Sequence, residues 1–265
     1  MDSSEDIKSV VKDTYTEIAE RKPSCGCGST CGCEDDVLML VESYSKLKGY
    51  QPEADLHLGC GIPTAGSQIK AGDVVLDLGS GAGNDVFVAR TLVGETGRVI
   101  GVDMTEAMIT RATGNNARFG FDNVEFRLGE IENLPVETGT IDVVISNCVL
   151  NLVPNKEKAF AEIYRVLKPR GCFSISDIVS TRPLPEKLRK VAELYARCVS
   201  GALVKEDYLR IISNAGFESI KVSREVVTPF PEEIYRELNL DEAEHVKNSG
   251  TEILSITVQG EKPAQ

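Results

Sequence analysis

The chain has 265 residues, of which 42% are hydrophobic and 26% charged, so its composition excludes wholesale disorder and fibrous structure. With 29 Lys and Arg against 41 Asp and Glu, the net charge is −12, which argues against nucleic-acid or anionic-membrane partners and favours a small molecule. The sequence has no run of 18 apolar residues, and its first 20 residues are acidic and periodic. We therefore expect no membrane span, no signal peptide and a cytoplasmic location.

Residues 1–71 are predicted to form a helical and cysteine-rich segment ahead of the main domain. The sequence KPSCGCGSTCGC in this segment is too rich in Gly, Ser and Cys to build a hydrophobic core. A short helix is predicted after it, over Val37–Lys46. An amphipathic helix over residues 1–20 is predicted by apolar residues at helical spacing, namely Ile7, Val10, Val11, Tyr15 and Ile18.

Residues 72–180 show short β-branched runs that alternate with helical stretches. This alternation predicts an α/β fold with a doubly wound, mostly parallel sheet and helices on both faces. The predicted strands are Val74–Leu78, Val99–Val102, Val124–Leu128, Ile141–Ser146 and Phe173–Ile178. The predicted helices between them are Asp85–Val93, Glu106–Phe119 and Lys156–Leu167.

Residues 181–265 are predicted to form a C-terminal α+β extension that contributes to substrate binding. The alternation of strands and helices stops after Pro185. Two helices are predicted over Glu186–Val199 and Lys205–Ala215, and two strands near Ile220–Val227 and Ile253–Val258.

The most informative motif is a glycine-rich loop, VVLDLGSGAGND, between the first strand and the first helix of the main domain. Gly79, Gly81 and Gly83 allow a tight turn and let a nucleotide-type ligand lie against the backbone. Asp103, at the end of the second strand, suits a contact to two ribose hydroxyls. Asp77 precedes the glycines and would repel a pyrophosphate, so an adenosine ligand with a cationic amino-acid tail fits better than NAD. The alternative is a purely structural turn.

The segments DLGSGAGND, GVDMT, GEIENLPV and IDVVISN together resemble the seven-stranded S-adenosylmethionine-dependent methyltransferases. The resemblance covers residues 72–179 and implies a Rossmann-like seven-stranded sheet, to which the C-terminal strands could add an antiparallel strand. It also implies S-adenosyl-L-methionine (SAM) as the cofactor. The implied cofactor-binding residues are Asp77, Gly79 and Gly81 on the methionine side with Ser80 in the same loop, Asp103 on the ribose, Met104, Ile131 and Glu132 at the adenine, and Asn147 facing the sulfonium.

The eight cysteines are expected to be reduced thiols, because structural disulfides are rare in the cytoplasm. Cys60 precedes the main domain, Cys148 follows the fourth strand, and Cys198 lies in the C-terminal extension. Three converging thiolates without a histidine suit a soft trigonal centre with a lone pair, such as trivalent arsenic or antimony. Zinc instead usually takes four ligands, often with CxxC spacing. The alternative is that such a cysteine is only a small buried hydrophobe.

The segments LGCGIP, GEIENLPV, SNCVLNL and RCVSGA together resemble the arsenite methyltransferases, over residues 58–217. The resemblance implies that Cys60, Cys148 and Cys198 bind As(III). It also implies an upstream cysteine that pairs with Cys60 during turnover, and we favour Cys31 or Cys33 without choosing between them. The segment CGCGSTCGC offers four candidates, Cys25, Cys27, Cys31 and Cys33, or it is a flexible metal-scavenging tail.

The resemblance implies a function in arsenic detoxification, the methylation of arsenite and methylarsenite. As(III) would arrive as a thiol adduct and exchange onto the three thiolates, and its lone pair would attack the sulfonium methyl in line. This chemistry needs no metal cofactor and no general base, but it needs an external thiol reductant such as thioredoxin or a small thiol. We expect a monomer.

Two other functions remain open. A SAM methyltransferase acting on a small organic C, O or N acceptor, such as a quinone precursor, would share the glycine loop but give the three cysteines no role. A thiol-rich metalloid-binding protein without catalysis would use the thiols alone. Cys172 enters the fifth strand and is predicted to be a packing residue, and the isolated His57 and His245 are assigned no catalytic role.

Overall fold

The computed structural model describes residues 4–20, 43–184, 201–228 and 248–265. The predicted helix over Glu186–Val199 lies outside the described residues. So does most of the predicted helix over Val37–Lys46, of which Tyr44–Lys46 forms a 3-10 turn. Five cysteines also lie outside the described residues: Cys25, Cys27, Cys31, Cys33 and Cys198.

The described strands form one seven-stranded sheet. Their bounds are β1 (Val74–Leu78), β2 (Arg98–Asp103), β3 (Val124–Leu128), β4 (Ile141–Asn147), β5 (Leu167–Ser180), β6 (Glu218–Thr228) and β7 (Ile253–Glu261). The strand order is β3-β2-β1-β4-β5-β7-β6. Strands β1 to β5 are parallel, whereas β7 runs antiparallel between β5 and β6. The predicted mostly parallel sheet with one antiparallel strand from the C-terminal extension is confirmed.

The described helices match the predicted ones to within a few residues at each end. Asn155 begins one helix by accepting a hydrogen bond from the Lys158 N–H at 2.9 Å, and Gly120 (φ +70°) ends another. Within the described ranges, no helix combines the length and apolar character needed to cross a membrane. The helices are α1 (Ser4–Glu20), α2 (Asn84–Val93), α3 (Glu106–Phe119), α4 (Lys156–Val166) and α5 (Lys205–Asn214).

The core lies on both faces of the sheet because successive strand residues point to opposite sides. In β1, Val75 packs with Phe87 of α2 on one face. Leu76 and Leu78 belong to the cluster on the other face, which includes Phe160 of α4. Burial on both faces explains why the central strands are almost wholly apolar.

The strand order reverses between β1 and β4. The connections that follow these two strands therefore lead away from each other, towards opposite edges of the sheet. Open α/β sheets bind ligands in the resulting crevice, at the carboxyl ends of the strands. Helix α1 lies at this edge and packs on α3, where Arg111 donates a hydrogen bond to the Ala19 carbonyl at 3.1 Å. The fold therefore provides a ligand crevice with the N-terminal helix beside it.

Candidate active site

A cavity opens at the carboxyl ends of β1, β2 and β4. Lys8, Val11 and Tyr15 of α1 contribute to its lining, together with Cys148. The structure thus brings every predicted cofactor-binding residue to one cavity: Asp77, Gly79, Ser80, Gly81, Asp103, Met104, Ile131, Glu132 and Asn147.

The glycine-rich loop presents its backbone to this cavity. Gly81 has φ +50°, and a Cβ atom there would meet no atom within 4 Å. Gly79, Ser80 and Ala82 of the same loop also line the cavity. The loop therefore leaves room for a ligand directly against its backbone.

Three carboxylates, those of Asp77, Asp85 and Asp103, surround the same part of the cavity. Burial raises the pKa of each, and the pKa of Asp77 is raised further by its two acidic neighbours. Among the described residues, none of the three forms an ion pair with Lys or Arg. A cationic ligand would supply the counter-charge and favour their ionised forms.

The Asp103 carboxylate is held in place by backbone donors at the end of β2. Its Oδ2 accepts a hydrogen bond from the Gly81 N–H at 3.0 Å, and its Oδ1 accepts one from the Thr105 N–H at 2.9 Å. Each carboxylate oxygen has a second lone pair, so both oxygens can still accept from a ligand hydroxyl. This arrangement fits the predicted ribose contact.

Asn147 binds the loop that carries Cys60. Its Oδ1 accepts a hydrogen bond from the Cys60 N–H at 3.0 Å, and its Nδ2 lies 2.9 Å from the Gly61 carbonyl. The Ser255 hydroxyl donates to the Cys60 carbonyl from the other side, at 2.6 Å. The predicted sulfonium-facing residue therefore also fixes the position of a predicted arsenic ligand.

The glycines on both sides of Cys60 allow this close approach. A Cβ atom on Gly59 would lie 2.6 Å from the Asn147 Nδ2, and one on Gly61 would lie 2.6 Å from the Ser176 Oγ. Neither contact leaves room for a larger residue. The GCG sequence is thus explained by packing of the loop onto the end of β4 and the adjacent part of β5.

The backbones of Cys60 and Cys148 are both held near the end of β4, that of Cys60 by its hydrogen bond to Asn147. Cys148 has φ +60°, a left-handed conformation that is uncommon outside glycine, and its N–H donates to the Ser176 carbonyl at 2.7 Å. Both cysteines are buried, and Cys148 lines the cavity while Cys60 does not.

Cys172 lies away from these thiols. It pairs with Val143 near the start of β4, whereas Ser176 pairs with Asn147 at its end. At ~3.3 Å per residue, the four steps along the strand from Cys172 to Ser176 span ~13 Å. Its side chain belongs to the core cluster beneath α2, in agreement with the predicted packing role.

Cys172→Ser is therefore expected to retain most of the wild-type activity. Burial raises the pKa of this thiol to about 11, so it is a poor source of thiolate. Any lost activity should follow lost thermal stability, measured on the same samples. A fully folded but inactive variant would show that the thiols have been assigned to the wrong residues.

Sequence reasoning missed several residues that line the cavity. Asp85 is the last residue of the glycine-rich motif, and this position could have indicated that it lines the ligand cavity. Tyr44 and Lys8 have no local signal, because they reach the cavity through the tertiary fold. Lys8 forms ion pairs with Glu130 and Glu132, at 2.6 Å for Glu130, and so ties α1 to the predicted adenine border.

Comparisons with known proteins confirm the resemblance. A family model described as a methyltransferase domain matches residues 69–216. The arsenite methyltransferase of Halobacterium salinarum is 38% identical over 98% of this chain and 68% of its own length. That of Aquipseudomonas alcaligenes is 39% identical over 71% of this chain and 56% of its own length.

Among solved structures, an arsenic(III) S-adenosylmethionine methyltransferase from Chlamydomonas reinhardtii has a TM-score of 0.67 and 35% identity. The match covers 77% of this chain and 68% of the algal one. The chain thus spans between 56% and 68% of the length of these three relatives. Together with the seven-stranded fold and the cavity beside its glycine loop, these similarities show that the chain belongs to the arsenite methyltransferases.

Proposed function

We propose that this protein transfers methyl groups from SAM to trivalent arsenic held by cysteine thiolates, in arsenic detoxification. The observation that carries the proposal is the packing of the Cys60 loop and Cys148 against Asn147, at the end of β4. Asn147 contacts the cysteine loop and lines the cavity at once. Substrate and cofactor would therefore meet across this residue.

The cavity suits SAM in charge and in shape. Bound there, SAM supplies an electrophilic methyl group on a sulfonium cation. Asp77 and Asp85 would provide counter-charge for its cationic end, and Asp103 would accept hydrogen bonds from the ribose hydroxyls. The adenine would lie between Met104 and Ile131, with Glu132 at its border. The open space at Gly81, where a Cβ atom would meet nothing within 4 Å, supports a ligand against the glycine loop.

Cys60, Cys148 and Cys198 would be the thiolate ligands of arsenic. Arsenic would arrive bound to small thiols or hydroxide. Each time a cysteine forms an As–S bond, one of these bonds breaks, and the released thiol or hydroxide takes the cysteine proton. Arsenic carries no proton, so its lone pair needs no general base. The residues would act mainly by positioning, which contributes ~7–11 kcal/mol in well-aligned reactions.

We further propose a metal-free reaction with an external thiol reductant, such as thioredoxin or a small thiol. The arsenic lone pair is used in the new As–C bond, so two thiols must return the arsenic to the trivalent state and become a disulfide. Cys60 with Cys31 or Cys33 would form that disulfide.

A monomer in the cytoplasm fits this chemistry, because reducing compartments keep thiols available. Residues 1–71 would form the N-terminal helical and cysteine-rich segment, residues 72–180 would bind SAM, and residues 181–265 would contribute to substrate binding.

The direct test uses purified full-length protein, SAM labelled on its methyl group, arsenite and a thiol reductant. Chromatography should recover the label in methylated arsenic only when all components are present. Binding of SAM and arsenite without transfer of label would favour a metalloid-binding protein and contradict the proposal. Transfer of label to a quinone precursor but not to arsenic would favour the organic-acceptor alternative.

SAM affinity is expected to fall as the pH drops through about 6. Burial raises the pKa of Asp85 to about 6. A bound cation favours the ionised carboxylate and lowers that pKa, so the affinity is highest above the unliganded pKa and weakens below it. Calorimetric titrations across this pH range measure the effect. Asp85→Asn should flatten this part of the profile, and an unchanged slope in that variant would contradict the role of Asp85.

A further inference from the structure

We propose that Tyr44 is a positioning residue that couples SAM binding to arsenic binding, by linking the Cys60 loop to Asp85 and Asn147. The inference rests on the proposed function and concerns the same site. Tyr44 belongs to the 3-10 turn at Tyr44–Lys46, outside the sheet, and is only 4% exposed.

The hydroxyl of Tyr44 is the meeting point of three chain segments. It lies 2.9 Å from the Asp85 Oδ1 at the start of α2, and 2.9 Å from the Gly61 carbonyl in the Cys60 loop. The Asn147 Nδ2 lies 2.8 Å from the same oxygen, at the end of β4. The Asn147 Nδ2 also contacts both groups directly, at 3.0 Å from the Asp85 Oδ2 and 2.9 Å from the Gly61 carbonyl.

These groups have fewer protons than close partners, so their hydrogen bonds depend on one another. Burial and Asp85 raise the pKa of Tyr44 well above its ordinary value, so the hydroxyl keeps its proton and can donate it to Asp85. The two N–H groups of Asn147 then have three acceptors within 3.0 Å, namely the Tyr44 hydroxyl, the Gly61 carbonyl and the Asp85 Oδ2. The Asn147 Oδ1 accepts from the Cys60 N–H, which completes the network.

This network connects the cavity to the backbone of a proposed arsenic ligand. Asp85, Tyr44, Asn147 and Gly61 all line the cavity, and the Cys60 N–H is bound directly to Asn147. A cation beside Asp85 favours its ionised form, and hydrogen bonds to ionised acceptors are the stronger ones. A stronger bond from Tyr44 would hold the Cys60 loop more firmly in place. Because coupling between two sites is reciprocal, arsenic binding would strengthen cofactor binding equally.

Tyr44→Phe should break this link while preserving the fold. The ring, which packs in a buried position, is retained. The two hydrogen bonds between Asn147 and the Cys60–Gly61 backbone are also retained. The Asn147 Nδ2 lies 3.0 Å from the Asp85 Oδ2, so this carboxylate keeps one donor. The loss is therefore specific to the connection that passes through the hydroxyl.

Tyr50→Phe is the matched control. Its hydroxyl donates to the Asp55 Oδ2 at 3.1 Å, and its ring centroid lies 6.3 Å from that of Tyr44. Tyr50 does not belong to the network around Asp85 and is absent from the residues that line the described cavity. The two variants remove the same atom from neighbouring rings.

The experiment measures the dissociation constant of arsenite by equilibrium dialysis with arsenic quantification, with and without a saturating SAM analogue. Sinefungin carries an amine cation in place of the sulfonium, and S-adenosylhomocysteine carries a neutral sulfur. We expect sinefungin to tighten arsenite binding about tenfold in the wild type and in Tyr50→Phe, within the usual range of coupling between sites. The tightening should be smaller with S-adenosylhomocysteine. In Tyr44→Phe it should fall to about threefold or less with either analogue, because only the Asn147 Nδ2 still connects Asp85 to the Gly61 carbonyl.

Equal tightening in Tyr44→Phe and in the wild type, or none in a wild type that methylates arsenite, would overturn the inference alone. If the wild type binds no arsenite under any condition, the proposed function fails and the inference with it. Melting curves check that each variant is folded.

If Tyr44→Phe does not fold, Asp85→Asn serves as the second variant, because it keeps a hydrogen-bond acceptor but removes the negative charge. It should bind sinefungin at saturation and still lose most of the tightening, whereas full tightening would overturn the inference.

Discussion

Cys148→Ser is expected to abolish methylation of inorganic arsenite by a protein that remains folded. The serine hydroxyl is a hard, weakly acidic donor and a poor substitute for a thiolate towards a soft centre. The loss should be roughly 100-fold or more, since residues that only orient metal ligands already cost about 10–100-fold. Turnover of arsenite, with folding checked by circular dichroism, measures the effect.

Cys60→Ser and Cys198→Ser should fail on arsenite in the same way, because each removes one of three soft ligands. Two thiolates can still hold an arsenic atom that already bears a methyl group. Residual activity on methylarsenite is therefore expected in these two variants, and Cys148→Ser should retain least. Cys172→Ser is the matched control, since it makes the same change at a core position. Full arsenite activity in any folded variant of the three would contradict a three-thiolate site.

Asp103→Ala is expected to weaken SAM binding strongly while arsenite binding persists. Each hydrogen bond from a hydroxyl to a charged group contributes ~1.5–3 kcal/mol, so the loss of two corresponds to at least about a 100-fold higher dissociation constant. Calorimetric titration with SAM measures the change.

A matched variant separates the ribose contact from the support that Asp103 gives to its own loop. The Asp103 carboxylate also accepts from the Gly81 and Thr105 N–H groups, so alanine removes these bonds as well. Asp103→Asn keeps one acceptor oxygen and the size of the side chain, and should have an intermediate affinity. An unchanged dissociation constant in Asp103→Ala would remove this residue from the ribose role.

The parallel core could be predicted closely because its signals are local. Strands β1 and β3 and helix α3 have the bounds that their apolar runs and the following glycines predict. Strand β5 is longer than the predicted Phe173–Ile178, because β4 and β7 pair with it on its two sides. Such pairing depends on partners distant in the sequence, which no local pattern contains.

In the candidate site too, residues in local motifs could be predicted from the sequence, whereas residues brought in by distant contacts could not. The glycine loop and Asp103 follow from a motif and its spacing, and the cysteines were singled out by their chemistry. Tyr44 was missed because its partners Asp85 and Asn147 lie 41 and 103 residues away in the chain. The glycines on both sides of Cys60 are evident in the sequence. The reason that only glycine fits there is the close approach to side chains of β4 and β5, which the sequence does not show.

The proposed function places arsenic on thiolates at the end of β4, beside the SAM cavity. X-ray absorption at the arsenic edge, on the arsenite complex of the full-length protein, counts the sulfur atoms bound to arsenic. We expect three sulfur neighbours in the wild type and in Cys172→Ser, and two in Cys60→Ser and in Cys148→Ser. An unchanged sulfur count in either of the last two variants, or oxygen neighbours in the wild type, would contradict it.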